Sequence, residues 1–450
     1  MNKVENEITK LFEGSALSAT QISKLIKWLQ MTPKTTTVRV NLLSTSTNHV
    51  IANILKMFEQ CTHLPCLPLI ERFDAIPEMI MIHSLDERAI NKKPCPERKE
   101  VIVDGPCAAA VLRGAHIYCP GILAMQTNTK LNEIVNIFGD IEGACKKGTN
   151  IVYDSVQKLF IGTGQVKMQR HQLFGTDGPS KGIGVEVHQT ISCVPSVGSE
   201  YLSNQSSLLQ NFPSIVCSRV LDPKPNEIVL DMCASPGNKT THLAQLMEDS
   251  GVLVALDKSE NRVIVLKENI KRFHLKSVHS YTFDATKAID LTMKQHKNDF
   301  PSHPPYAEES FDKILLDAPC SGLGNRPILS TKLNRHIVAS FPKLQKKLLD
   351  TALRLLKVGG TLVYSTCSVL DAENERNVAY MLEKYGKVLE LETATPVFGN
   401  PGLKNAGLSD DERRKVQRFG PDFENPENQV TIIDSTGFFI CKFRKIAKLN

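Results

Sequence analysis

Ile228-Val229-Leu230-Asp231-Met232-Cys233-Ala234-Ser235-Pro236-Gly237-Asn238-Lys239-Thr240 is the stretch on which the fold turns. An apolar run closes on an aspartate, a loop containing proline and glycine follows, and a helical pattern opens at Thr240. A tight loop between strand and helix, at the carboxyl edge of a parallel sheet, is where nucleotide-like ligands bind. The N–H groups at such a helix start favour an anionic group, a carboxylate for example. Working outward, further strand candidates are Val252–Leu256, Val278–Phe283, Lys313–Leu316, Thr361–Tyr364 and Gly437–Phe443. Helical patterns at 240–248, 260–273 and 342–356 separate several of them. This alternation predicts an α/β, mostly parallel, doubly wound sheet. Asp257, Asp284 and Asp317 close the next three strands as Asp231 closes the first. One such residue is readily a helix cap, whereas four on one sheet edge point to a ligand, with Asp257 placed to hydrogen-bond a ribose diol.

Two of the twelve cysteines stand apart. Cys320, in Asp317-Ala318-Pro319-Cys320-Ser321-Gly322, and Cys367, in Tyr364-Ser365-Thr366-Cys367-Ser368, follow neighbouring strands and so share the ligand edge. Most buried cysteines are inert small hydrophobes. A thiol beside Asp317 and Lys239 is a candidate for a lowered pKa and nucleophilic work.

Upstream, the chain changes character twice. Residues 1–98 carry an amphipathic helix pattern at 21–29, a β-rich run at 35–40 and a second helix candidate at 50–59, forming an α+β N-terminal region associated with the core. The Lys/Pro stretch 91–96 reads as a linker. Residues 99–195 alternate short apolar runs with glycine, at Glu100–Val103, His116–Tyr118, Ile151–Tyr153 and Leu159–Gly162, which predicts a small β-barrel or sandwich. Residues 196–450 are the α/β unit. An apolar share of 41% excludes wholesale disorder, and no apolar run is long enough to span a membrane. The N-terminal decapeptide lacks the apolar core of a secretory signal, so reduced cytoplasmic thiols are expected. Lys and Arg number 54 against 48 Asp and Glu, an excess that permits a polyanionic partner without demanding one. Cys61, His63 and Cys66 lack paired zinc-knuckle spacing, so no metal is expected.

The Asp-Met-Cys-Ala-Ser-Pro-Gly-Asn-Lys-Thr, Asp-Ala-Pro-Cys-Ser-Gly and Ser-Thr-Cys-Ser motifs closely resemble those of the Sun-domain RNA cytosine-5 methyltransferases. Glu373-Asn374-Glu375, Arg418-Phe419 and Gly437-Phe438-Phe439 add to the likeness. In the middle region, residues 110–122 resemble the core of a PUA RNA-binding domain, which marks the tRNA C72-methylating branch of that family. Arg326-Pro327 is similar to that branch as well. The resemblance implies a Rossmann-like core that uses S-adenosyl-L-methionine.

It also assigns roles. Cys367 is expected as the nucleophile and Cys320 as the residue that assists proton removal and release, with Asp317 and Lys239 holding the base. Cys233, Ala234, Ser235, Pro236, Gly237, Asn238, Lys239, Asp257, Asp284 and Asp317 are expected around the cofactor. Asn238 stands where the family usually has glycine; if that position needs a left-handed backbone, asparagine is the next most tolerant residue. Arg113, Tyr118, Lys146 and Lys147 are expected to grip a tRNA with an intact CCA end, the protein acting as a monomer. Messenger or ribosomal RNA as substrate, or a catalytically silent RNA-binding protein, are the alternatives; retention of both cysteines, the four aspartates and Lys239 argues against silence.

Overall fold

The computed structural model describes the chain except residues 1–2, 62–63, 156, 176–179, 199–201, 203–204, 294–302, 425–432 and 450. The N-terminal region contains α1 (Lys3–Leu11), α2 (Ala19–Gln30), β1 (Thr35–Val40), α3 (Thr47–Gln60), β2 (Ile70–Arg72) and β3 (Met79–His83). Serine starts both longer helices: Ser18 and Gln21 form a capping box on α2, and Ser46 accepts from the His49 N–H on α3. The middle unit runs β4 (Glu100–Asp104), α4 (Gly105–Leu112), β5 (Ile117–Tyr118), β6 (Ile122–Met125), β7 (Ile134–Asp140), β8 (Lys158–Val166), α5 (Arg170–Phe174) and β9 (Ile183–Thr190). Its six strands form one mixed sheet in the order β5-β9-β8-β7-β4-β6 around a core that includes Ala108, Val111 and Leu112 of α4. Irregularities between Ile137 and Phe138, and between Thr163 and Gly164, add twist to the long strands. Ile151–Tyr153, a strand candidate by its apolar run, is not a strand: Ile151 is 71% exposed and finds no ladder partner.

The remainder comprises β10 (Ser207–Leu209), α6 (Phe212–Leu221), β11 (Ile228–Asp231), α7 (Asn238–Leu246), β12 (Val252–Asp257), α8 (Glu260–Arg272), β13 (Val278–Thr282), β14 (Phe311–Asp317), α9 (Arg335–Leu355), β15 (Leu356–Thr366), α10 (Glu375–Tyr385), β16 (Leu389–Glu392), α11 (Asp410–Lys415), β17 (Gln417–Phe419) and β18 (Phe438–Lys445). The main sheet has the order β13-β12-β11-β14-β15-β18-β16, with β17 beside β18. Strands β11 to β15 are parallel and β18 is antiparallel to β15. The chain moves outward from β11 to β12 and β13, then returns to place β14 on the other side. That reversal lies at the carboxyl ends of β11 and β14, the position where such sheets bind ligands.

The N-terminal sheet is antiparallel, in the order β10-β1-β3-β2. Ser207–Leu209, placed in the C-terminal unit by the sequence boundary at 196, thus completes the N-terminal sheet instead. Three residues are too few for a periodic pattern to reveal. The middle unit is consequently an excursion between two strands of one sheet.

Buried charge joins this sheet to the main one. Glu78 accepts from Arg219 Nε at 2.7 Å and meets His242 Nε2 at 3.0 Å. Burial works against its ionisation, but the His242 and Arg219 hydrogen bonds hold it well below the usual carboxylate range. Glu78→Ala leaves a buried histidine and an arginine without their acceptor, and should cost on the order of 3 kcal/mol in urea unfolding at neutral pH. Because the folded pKa is depressed, this contribution is full above the ordinary carboxylate range and fades as pH falls through the lower folded value. The variant and wild type should therefore converge in acid; equal midpoints at pH 7 would refute the assignment.

Candidate active site

The loop after β11 is held from every side. Thr240 Oγ1 donates to Asp231 Oδ2 at 2.7 Å, and Ala234 N donates to Leu256 O at 2.8 Å. Arg262 donates to Ser235 O at 2.7 Å, and Asn269 Nδ2 to Pro236 O at 2.8 Å. Gly237 carries the left-handed backbone (φ +105°), and a Cβ there would stand 2.8 Å from Leu266 Cδ1. The positive φ thus falls on Gly237, while Asn238 is already the first residue of α7, two positions before the expected helix start. Its asparagine needs no left-handed tolerance.

No side chain caps the first turn of α7, so its N–H groups remain available to an anionic ligand. Asp257 accepts from Ser259 N at 3.0 Å and from Ser235 N at 3.3 Å and pairs with Arg262 at 3.3 Å, which leaves carboxylate acceptor capacity for a ligand. Asp284 lies two residues beyond β13, bound to Thr286 and 3.1 Å from Lys258. Asp231 differs from both. Burial pushes its carboxyl up to about 7, and it serves the loop through Thr240. An uncapped helix start, a glycine cradle and partly open carboxylates on adjacent strand ends together fit an adenosyl amino acid such as S-adenosyl-L-methionine.

The thiols sit one strand further. Asp317 is in register with Ser365, so Cys320 and Cys367 leave the same edge of β14 and β15. Their Sγ atoms are 3.3 Å apart and both are free. Lys239 Nζ donates to Asp317 Oδ2 at 2.7 Å while stacking 5.0 Å over the Phe438 ring, and Ser365 Oγ donates to Asp317 Oδ1 at 2.7 Å. Burial alone would lower the Lys239 pKa, but Asp317 raises it and keeps the ammonium charged.

The pair is electrically unequal. The hydrogen bond from Cys320 lowers the Cys367 pKa, against burial, with help from the Lys239 charge and from Asn325 Nδ2 at 3.7 Å. That same bond and burial push Cys320 well up. Burial likewise raises Cys217, to about 12, and Cys233 and Cys441 well above the ordinary value, so these are inert.

Residues that sequence reading left as motif markers brace the thiol loops. Glu373 accepts from Ser321 N at 3.1 Å, and Asn374 Nδ2 donates to Ser368 O at 3.0 Å. Glu375 pairs with buried Arg418 at 3.0 Å. Gly324 N donates to Cys367 O, and Gly437 N to Gly324 O, both at 2.8 Å; this close approach leaves no room for side chains. Asn325 was missed altogether, for it carries no local sequence signal.

A cavity of about 460 Å³ reaches Asn238 at the start of α7 and is walled by all three units. Thr35, Thr36, Arg113, Tyr118, Asn238 and Thr436 are among its lining residues. Tyr118 is 47% exposed, so its ring does not pack inside the middle unit. Arg113 also donates to Arg326 O at 3.3 Å. Lys146 and Lys147 are exposed on the segment after β7 and are not part of the lining. His116 is buried and accepts from Val187 N at 3.1 Å, as a packed residue. Among the described residues no group of three His, Cys, Asp or Glu side chains is placed to hold a metal, and His63 lies outside them.

A Rossmann-like sheet whose ligand edge carries a thiol pair beside a Lys–Asp pair defines an S-adenosyl-L-methionine-dependent RNA cytosine-5 methyltransferase. A family model for the 16S rRNA methyltransferase RsmB/F matches residues 218–443. The human tRNA (cytosine(72)-C(5))-methyltransferase NSUN6 is 38% identical, covering 96% of this chain and 93% of its own. An enzyme of the same activity from Pyrococcus horikoshii is 36% identical over 78% and 76% of the two chains. The crystal structure of NSun6 from Pyrococcus horikoshii with SFG superposes with a TM-score of 0.71 at 29% identity, covering 100% of this chain and 99% of that one. The chain belongs to the RsmB/F family of RNA methyltransferases.

The electrostatics can be read without turnover. Lys239→Met removes the cation that favours the thiolate and leaves Asp317 unopposed, so the Cys367 pKa should rise. Iodoacetamide alkylation of Cys367, followed by peptide mass spectrometry, should then require higher pH than in the wild type. An unchanged pH profile would show that Lys239 does not act on the thiol.

Proposed function

We propose that this protein methylates C5 of cytosine 72 in the acceptor stem of tRNA, beside an intact CCA end, acting as a cytoplasmic monomer. The observation that carries this reading is the similarity to the human tRNA (cytosine(72)-C(5))-methyltransferase across all three units, the middle one included. In this reading residues 99–195 are a PUA RNA-binding domain, residues 196–450 are the methyltransferase domain, and residues 1–98 belong with it. No helix among the described residues is long and apolar enough to cross a membrane.

C5 of cytosine is a poor nucleophile, and the thiol pair answers that. Cys367, the thiol held toward its thiolate, adds to C6 and makes C5 electron-rich. Bound S-adenosyl-L-methionine supplies the electrophilic methyl group that C5 takes. Cys320 then assists removal of the C5 proton; the electron pair of that C–H bond reforms the C5–C6 double bond and expels the Cys367 thiolate. Asp317, fixed by Lys239 and Ser365, holds the base near N3. Asp257 and Asp284, with the loop from Cys233 to Gly237 and the backbone N–H groups at the start of α7, hold the cofactor. The base must leave its stack to reach Cys367, at a cost of a few kcal/mol that is least near a strand end. Tyr118 and Arg113, which line one cavity with Asn238, meet the RNA, and Lys146 and Lys147 neutralise phosphates further out.

The test is incubation with S-adenosyl-L-methionine and total RNA, read by bisulfite sequencing, with protection of cytosine 72 in tRNA as the expected result. Protection confined to ribosomal or messenger RNA would replace the substrate while keeping the chemistry. With the true substrate, Cys367→Ala should form neither product nor adduct, and Cys320→Ala should accumulate a protein–RNA adduct on a denaturing gel. The reverse pattern would exchange the two roles.

A further inference from the structure

Two consecutive residues in the first turn of α7 meet different surroundings. Lys239 reaches Asp317 at the thiol edge, whereas Asn238 lines the cavity that Tyr118 and Arg113 share. The backbone of Asn238 is pinned: its carbonyl accepts from Arg39 at 2.8 Å and from Thr241 Oγ1 at 3.2 Å. Its half-buried side-chain amide has no hydrogen-bond partner among the described residues. Reached by solvent and tied to no other side chain, that amide is free to pair with a polar ligand.

The chemistry of that ligand follows from the walls. An amide offers one acceptor and two donors, which suits the edge of a base better than a phosphate, to which it can only donate. Tyr118 offers an exposed ring on which a base can stack. A volume of about 460 Å³ is in the range of small-ligand sites. The position is adjacent in sequence to the lysine that serves the reacting base.

Building on the functional reading above, we propose that Asn238 is a specificity-determining residue, its amide hydrogen-bonding the edge of the unpaired nucleotide beside the target cytosine while that nucleotide occupies the Tyr118-lined cavity. The Asn238 side chain then discriminates among RNAs, while only its backbone faces the cofactor.

The experiment uses the full chain and a set of RNA hairpins that differ only at the nucleotides flanking the target cytosine. RNA Kd by fluorescence anisotropy, kcat/KM for methylation and S-adenosyl-L-methionine Kd by calorimetry are measured for wild type, Asn238→Ala and the isosteric Asn238→Asp. The wild type should prefer one flanking base by about tenfold, in keeping with one good base-edge contact. Asn238→Ala should bind all hairpins alike, Asn238→Asp should change the order of preference, and cofactor Kd should stay within twofold. A wild type without preference, a variant that keeps it, or a loss of cofactor affinity in place of RNA discrimination would overturn the proposal. A binding preference that Asn238→Ala abolishes, in a protein that methylates none of the RNAs, would support the contact and overturn the functional reading instead.

Discussion

Arg39 extends from β1 into a site with almost no solvent, where burial lowers its pKa to about 9 although the nearby Glu78 charge raises it. At neutral pH it remains charged, and a buried charge must be met by polar partners. Those partners are Asn238 O and Thr241 Oγ1, both in the first turn of α7. One guanidinium from the N-terminal sheet therefore sets the start of the helix whose Lys239 reaches the catalytic edge. Glu78, from the same sheet, meets His242 one turn further along and lowers the freedom of the helix to slide. The N-terminal region is thus part of the machinery that orients the loop from Cys233 to Lys239, although none of its residues approaches the thiols in sequence or carries a chemical motif.

A comparable constraint acts on the other side of the site. Arg326 is buried, stacks 4.1 Å over Trp28 of α2, and donates to Ser435 O at 2.8 Å and to Asp434. Burial lowers its pKa to about 9. The segment from Cys320 to Arg326 is thereby tied to the approach to β18, and through Gly324 and Gly437 to the backbone of Cys367. Two desolvated arginines hold the two halves of the active site from opposite directions. The thiol pair needs that rigidity, because its inequality depends on a 3.3 Å sulfur–sulfur approach and on which thiol lies nearer Lys239 and Asn325. A loop free to shift by an ångström would erase the difference between the two thiols.

What could be read in advance follows from how local each signal is. The parallel sheet, the glycine loop and the two cysteines each lie in a run where apolar period, loop residues and reactive groups coincide within ten residues. Strand β3 shows no alternation because it is buried on both faces, whereas Val185-Glu186-Val187-His188 in β9 does alternate and could have been read. Asp284 was placed at a strand end and lies two residues past it, within the usual uncertainty of strand boundaries. Asn325, Arg39 and Arg326 act through partners 42, 199 and 109 positions away, a separation that no local pattern encodes. Lys146 and Lys147 show the converse: a visible charge run carries no information about which wall of a cavity it will join.

The topology supplies the remaining link. Because β1 and β10 pair while residues 84–206 depart and return between β3 and β10, the middle unit is fastened at both ends to the sheet that Arg39 anchors. Gly114 packs against Pro195 O near the returning strand, and Gly105 against Ser330 near the thiol loop, each in a contact too close for a larger residue. The middle unit is therefore joined to the rest by two chain connections and by close contacts, unlike a domain tethered on a single linker. Its Tyr118 and Arg113 line one cavity with Asn238 of α7. In the functional reading proposed above, a strand gripped by the middle unit would present only the nucleotide that reaches the thiols without stretching, so the unit that holds the RNA would also select the position on it.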